Sequence, residues 1–275
     1  MKVVVTSNCQ TAGIANGLTM LLPGADVSAV PAHDKYLQEK VDGADVWVTS
    51  SNNAQSDKRV VRIPEVHFKA WHPDMCYAVN VETNAAVTGV QNGHYQSALT
   101  LWGYTRGLSV DRTAGLFREE TYEALGFMDR WAAEVAQLRA RFASSDVAFA
   151  DFTDAVSLHQ PFMHTVNHPR VEVLAALAKC AAANIADDRS LLRVPIERVM
   201  VDALGQQSVW SVYPEIAHRY GTTGAYVWRI GASQVVASVR EFVELQHAAY
   251  AAQGLKDFRS SQIDGAHMDK VIKPQ

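Results

Sequence analysis

Cysteine is scarce in this chain: three in 275 residues, Cys9, Cys76 and Cys180, widely spaced and with no CxxC pair. Such usage excludes a disulfide framework and a paired-cysteine metal site, and it implies a reducing, cytoplasmic setting. Long apolar runs are missing too. None approaches the ~18 residues of a membrane span, and the three valines after Met1-Lys2 are too few for a signal-peptide core. Any membrane role is therefore expected to be peripheral. Positive charge is not in excess: 25 Lys and Arg face 29 Asp and Glu, a net charge of −4, which argues against a general nucleic-acid binder. HExxH, the Walker A loop, GxGxxG and GxSxG are absent. His159, His164 and His168 are spaced by five and four residues and interrupted by Pro161, so they do not share a helical face. No metal site is expected.

What is present begins at the first residues. Lys2-Val3-Val4-Val5 reads as a short buried strand that breaks at Thr6-Ser7-Asn8 and delivers Cys9-Gln10 to a helix over Thr11 to Leu22. Further strands are predicted at Asp26–Val30, Ala44–Thr49 and Val60–Ile63, the last closed by Pro64, with a helix at Ala32–Val41. Short strands alternating with helices indicate a parallel sheet built from βαβ units. After about residue 90 the pattern turns helical, at His94–Arg106, Arg118–Leu125, Phe127–Phe142, Pro169–Ala186 and Ala232–Gln253. Pro169 suits a first helical turn. With no repeat, low-complexity stretch or linker, we expect one domain over 1–275. It comprises an α/β core region (1–90), a mainly helical region (91–255) and a tail (256–275).

A cysteine between a strand end and a helix start sits where open α/β sheets build their sites. The helix N-terminus favours the thiolate, so a depressed pKa is expected at Cys9. Free cysteine is also a common packing residue, but the neighbours Ser7, Asn8, Gln10 and Thr11 are polar, and their turn is rich in donors. Backbone N–H groups there suit an oxyanion. Gly13 and Gly17 allow the helix to approach a neighbour closely. Thr49-Ser50-Ser51-Asn52-Asn53 follows the third strand and should reach the same sheet edge, where it forms either a ligand contact or an ordinary turn.

Two histidines stand at rigid boundaries: His72 in His67-Phe68-Lys69-Ala70-Trp71-His72-Pro73-Asp74, and His168 in Thr165-Val166-Asn167-His168-Pro169. A residue before proline is held extended, which fixes its direction. Either imidazole is a candidate for the base that a thiol or hydroxyl nucleophile requires, and either is a candidate structural histidine.

In order along the chain, Ser7-Asn8-Cys9-Gln10, Trp71-His72-Pro73-Asp74, Thr165-Val166-Asn167-His168-Pro169, Tyr213-Pro214-Glu215-Ile216-Ala217, Gly221 and Gly224-Ala225-Tyr226 resemble the WcbI family of polysaccharide-biosynthesis proteins. The family has Gly-Asn-Cys-Gln at the first motif, so Ser7 is a departure. It bears on any role that needs a positive φ or close backbone approach at that position.

The resemblance implies an α/β, parallel-sheet core of SGNH-like or flavodoxin-like type with a large helical complement. It also implies binding of coenzyme A and transfer of an acetyl group from acetyl-CoA to a surface or capsular polysaccharide precursor. On this reading Cys9, His168 and His72 are the catalytic candidates, with His168 ahead of His72. Asn8, Gln10, Thr11, Ser50, Ser51 and Asn167 are the cofactor-binding candidates. The expected partners are a small-molecule acyl donor and a carbohydrate acceptor. Two rival readings remain: an SGNH-like hydrolase with a cysteine nucleophile, and a non-catalytic binder of coenzyme A or glycan.

Overall fold

Residues Lys2–Thr6 form β1, whose Val3, Val4 and Val5 are all buried. A strand covered on both faces reads as a continuous apolar run rather than an alternating one. The structure, a computed structural model, describes residues 1–272, so the last three residues of the expected 256–275 tail lie outside it. The first helix, α1, spans Thr11–Leu21. It is followed by β2 (Asp26–Ala29), α2 (Leu37–Asp42), β3 (Val46–Thr49) and β4 (Arg59–Arg62). The four strands make one parallel sheet in the order β2-β1-β3-β4, with Val3 opposite Val27 and Val46. The expected α/β class and parallel sheet are therefore what the chain forms.

The helix Ala32–Val41 is shorter than expected and starts only at Leu37. Asp34 holds the preceding turn by accepting the Tyr36 N–H at 2.8 Å and the Lys40 ammonium at 2.8 Å. On this side of the sheet Val4 and Trp47 pack with Val30, Val41, Ala44 and Ala54. The Trp47 indole donates to Thr6 Oγ1, which itself donates to Thr49 Oγ1, so the polar ends of β1 and β3 are satisfied inside the fold.

The chain groups into two compact units. The first comprises residues 1–68 and 135–206, the second 69–134 and 207–275. In the first unit the principal helix is Val171–Ala186, with twelve buried residues from Val173 to Ile185. It is apolar nearly all round, as a helix enclosed by its own unit must be. Pro169 does not open it. Arg170 is the N-cap, and Pro169 lies in extended backbone bridged to Met163. The His164 N–H donates to His168 O at 2.7 Å and the Arg170 N–H to Phe162 O at 2.9 Å. Residues 162–170 thus form a small hairpin with Thr165–Asn167 at its tip.

Small residues let α1 lie against the Val171–Ala186 helix. A Cβ on Gly13 would fall 2.5 Å from Leu174, and one on Gly17 2.5 Å from the Ala178 Cβ. The glycines thus serve packing against a helix.

In the second unit, Ala98–Thr105 and Val239–Ala252 are the long helices, each opened by a serine cap. Two expected helices are shorter here because strands occupy their first residues. Gln96–Ser97 pairs with Met75–Cys76 ahead of the first. Gln234–Val236 pairs with Trp228–Ile230 ahead of the second, turning at Gly231 with φ +60°. The Phe127–Phe142 helix is divided at Arg130 into a 3-10 turn, Phe127–Asp129, and the helix Trp131–Ala143. The core of this unit is aromatic: Trp228 stacks on Phe242 with centroids 4.2 Å apart, beside Tyr213 and Phe117. Among the described residues no helix is long and apolar enough to cross a membrane.

Because the Ala178 methyl cannot retreat within its helix, Gly17→Ala should overpack the α1 contact. We expect a loss of ~1–3 kcal/mol, seen as a lower urea midpoint with an unchanged slope. A wild-type midpoint would show that the helices separate freely.

Candidate active site

In the order β2-β1-β3-β4 the chain runs from β1 to one side of the sheet and from β3 to the other. The crevice beyond the carboxyl ends of β1 and β3 is the switch point where open α/β sheets bind ligands. Thr6 and Thr49 end these strands side by side, and the Ser50 N–H continues the ladder to Thr6 O at 3.2 Å. The two loops that follow carry Asn8, Cys9, Gln10, Ser50 and Ser51.

The first loop is locked by its own side chains. Asn8 Oδ1 accepts the Gln10 N–H at 3.0 Å, a local turn of the kind asparagine favours. Thr11 Oγ1 accepts the Ser7 N–H at 2.9 Å and donates to Asn8 O at 2.8 Å, which commits the Thr11 hydroxyl to the turn. Ser7 is buried and does not occupy the left-handed region, so replacing the family's glycine strains no backbone.

Cys9 is exposed, whereas Cys76 and Cys180 are buried. Its Sγ donates to Asn167 O at 3.5 Å and to Asn8 Oδ1 at 3.7 Å. The expected depression of its pKa does not occur. Although the sulfur reaches solvent, the protein packed behind it pushes the thiol up to about 11; its own backbone N–H opposes this only in part, and the Glu65 carboxylate adds to it. Desolvation and a neighbouring negative charge outweigh the helix terminus. Both sulfur contacts also use the thiol as a donor, which favours the protonated form.

Gln10 is fully buried. Its Nε2 donates to Val66 O at 2.9 Å and to Asn167 O at 3.4 Å, while Oε1 accepts the Val66 N–H at 3.3 Å. The Gln10 amide, a cofactor-binding candidate, joins the loop after β4 and the hairpin tip at Asn167 to the start of α1. Ser50 is likewise committed, its hydroxyl donating to Glu65 Oε1 at 3.0 Å. Ser51 is exposed, with its backbone N–H on Thr49 Oγ1. Asn167 Oδ1 accepts from Thr165 Oγ1 at 3.2 Å.

Two residues outside the expected set complete the cluster. His67 Nε2 lies 3.4 Å from Asn8 Nδ2 and 3.3 Å from Glu65 Oε2. The hydrogen bond from His67 holds the Glu65 carboxyl below the usual range, against the effect of its partial burial, and the one from Ser50 assists. Arg141 Nη1 donates to His67 O at 3.0 Å and fixes that backbone. The sequence did carry a signal: Glu65 and His67 stand two apart after Pro64, and in extended chain alternate residues share a side.

The favoured histidines are placed differently. His168 is buried, and burial with the neighbouring His164 lowers its pKa to about 4, so it is neutral at neutral pH. Its carbonyl and N–H are used within the hairpin, the N–H donating to Thr165 Oγ1 at 3.1 Å. His164 Nε2 in turn lies 2.7 Å from Asp202 Oδ2. His72 belongs to the second unit, where its Nδ1–H donates to Ser211 O at 3.2 Å. Beside it the fully buried Asp74 accepts the Leu99 N–H at 3.0 Å and the Tyr213 hydroxyl at 2.6 Å. That last bond joins two of the sequence motifs, Trp71–Asp74 and Tyr213–Ala217, inside one core. Among the described residues no group of three or more His, Cys, Asp or Glu is placed to hold a metal ion.

Fold and site together define an α/β protein with an exposed thiol at the switch point of a parallel sheet. The chain belongs to the WcbI family of polysaccharide biosynthesis enzymes, whose model matches residues 2–186. A solved structure of WcbI, described as the native protein without a disulfide bond between coenzyme A and a cysteine, shares the fold. Its TM-score is 0.60 at 14% identity, over 98% of this chain and 92% of that one. No curated protein matches the chain.

The thiol's exposure and raised pKa make a joint prediction. Iodoacetamide should modify Cys9 ahead of Cys76 and Cys180, at a rate that climbs about tenfold per pH unit toward pH 11. A rate already level at pH 7–8 would mean that the thiolate is the resting form.

Proposed function

We propose that the chain binds coenzyme A at the carboxyl ends of β1 and β3 and transfers an acyl group, expected to be acetyl, from its thioester to a hydroxyl. The acceptor is a surface or capsular polysaccharide precursor, and the setting is cytoplasmic. The carrying observation is the exposed Cys9 thiol at the sheet's switch point, held by Asn8 and Asn167. Family membership supports the polysaccharide precursor, and the solved WcbI, described in terms of coenzyme A and a cysteine, supports the donor. The residues gathered here, amides, a thiol and an imidazole with one carboxylate bonded to that imidazole, suit the thiol end of such a donor. The family match covers residues of both units up to 186 and the likeness to the solved WcbI covers 98% of the chain, which together support treating 1–275 as one WcbI-like domain.

Of the two routes to product, direct attack by the acceptor hydroxyl on the thioester suits the site better than acylation of Cys9. A nucleophilic cysteine needs a lowered pKa or a base in contact with its sulfur; here the two hydrogen bonds of Sγ go to a carbonyl and an amide oxygen, and burial favours the protonated thiol. Cys9 then packs against the donor's sulfur. The same property counts against a cysteine hydrolase, which needs the thiolate.

Titrating the protein with coenzyme A by calorimetry tests the donor assignment; no heat at millimolar ligand would remove it. In a thermal-shift series, ligand at ~100 Kd should add about 2.7 kcal/mol to stability. Binding without turnover on any saccharide acceptor would leave a non-catalytic binder. For the route, intact mass after acetyl-CoA without acceptor should show no added acetyl group, and Cys9→Ala should keep measurable transfer. An acetylated Cys9 would restore the covalent route.

A further inference from the structure

We propose that His67, oriented by Glu65, is the general base of this site and that its working atom is Nδ1. The inference rests on the acyl-transfer reading for its substrate, but its geometry stands alone. Glu65 Oε2 and Asn8 Nδ2 both approach His67 Nε2, at 3.3 and 3.4 Å, and they make opposite demands on it. The carboxylate requires a proton on Nε2, whereas the amide N–H₂ requires a lone pair. Asn8 cannot reverse its amide to resolve the conflict, because its Oδ1 is fixed by the Gln10 N–H. A charge-assisted bond to a carboxylate is about twice as strong as a neutral one, so Glu65 prevails and the neutral ring carries its proton on Nε2. That leaves the lone pair on Nδ1, which has no protein partner among the described residues.

The pair is built to hold this arrangement. Ser50 fixes the other carboxylate oxygen and Arg141 fixes the His67 backbone. Gln10 anchors the intervening Val66 to the start of α1. Both side chains nevertheless remain open to solvent, 36% for His67 and 38% for Glu65, so a dissolved substrate reaches them. His168 and His164 are buried. A carboxylate that orients an imidazole and stabilises its cation is the arrangement acyl-transfer sites use. Here the two ring nitrogens exchange their usual tasks.

The step balances without an outside reagent. The acceptor hydroxyl gives its proton to Nδ1 as its oxygen bonds to the acyl carbon. The acyl carbon–sulfur bond breaks, and the departing thiolate of coenzyme A takes the proton back from the imidazolium. His67 is the catalytic residue. Glu65 and Ser50 act through it as positioning residues.

Two measurements judge this separately. The first needs no substrate: long-range ¹H–¹⁵N spectra of the ring in the folded, ligand-free protein should show the Nε2–H tautomer. Glu65→Gln should shift the population toward Nδ1–H. A predominantly Nδ1–H ring in the wild type overturns the proposal, whatever the chain proves to transfer. The second is turnover. His67→Gln should lower kcat ~10²–10⁴-fold with KM for acetyl-CoA unchanged, and Glu65→Gln should fall in the same direction by less. Full turnover by a folded His67→Gln protein overturns the base assignment. Failure of the wild type to bind acetyl-CoA would instead remove the acyl-transfer reading and leave the tautomer spectrum to decide on the pair.

Discussion

One buried amide organises the site. Gln10 follows the cysteine and shows nothing to solvent, yet its two polar ends reach Val66 and Asn167 from the N-cap of α1. Three segments distant in sequence are set by it: the Cys9 turn, the extended stretch carrying Glu65 and His67, and the hairpin tip. A buried amide left with an unmet partner costs ~1–3 kcal/mol, so each segment is held to the others by polar groups that have nowhere else to go. The sulfur's acceptor, Asn167 O, is one of the atoms Gln10 holds.

This division of labour separates residues that shape the site from residues that face it. Gln10, Thr11 and Ser50 have their side chains spent on backbone or on Glu65, while Cys9 and Ser51 are exposed and His67 stays partly open. A polar residue near a sheet edge is therefore no guide by itself to ligand contact. What distinguishes the two groups is how far each side chain still reaches solvent once its partners within the protein are met.

Much of the fold was legible in the sequence, for identifiable reasons. The Val3-Val4-Val5 run and the polar break after it give β1 and α1 directly, because a strand enclosed on both faces admits little else. The helices of the second unit were read too long where Gln96–Ser97 and Gln234–Val236 pair as strands, since two- and three-residue pairings are made by tertiary partners and leave no periodicity. Ser238, three residues before Glu241, was the local cue that the helix begins later; its hydroxyl accepts the Glu241 N–H. At the site, the position of Cys9 was legible but its electrostatics were not. The helix terminus is a sequence-local effect, whereas the carboxylate of Glu65 and the mass behind the sulfur are brought by the fold. His168 stands in a rigid setting before Pro169. That setting belongs to a hairpin whose tip, at Asn167, is what meets the sulfur.

The seam between α1 and the Val171–Ala186 helix ties two distant stretches of sequence into one steric unit. A Cβ on Gly17 would fall 2.5 Å from the Ala178 Cβ, so the seam closes only with bare backbone facing a methyl. A side chain at position 17 therefore calls for a smaller residue at 178, which leaves only glycine there. The family-matched stretch ends at residue 186, where that helix ends. The helix that follows the thiol turn is thus seated, through the bare backbone of a glycine, on a helix that shows no polar chemistry of its own at that seam.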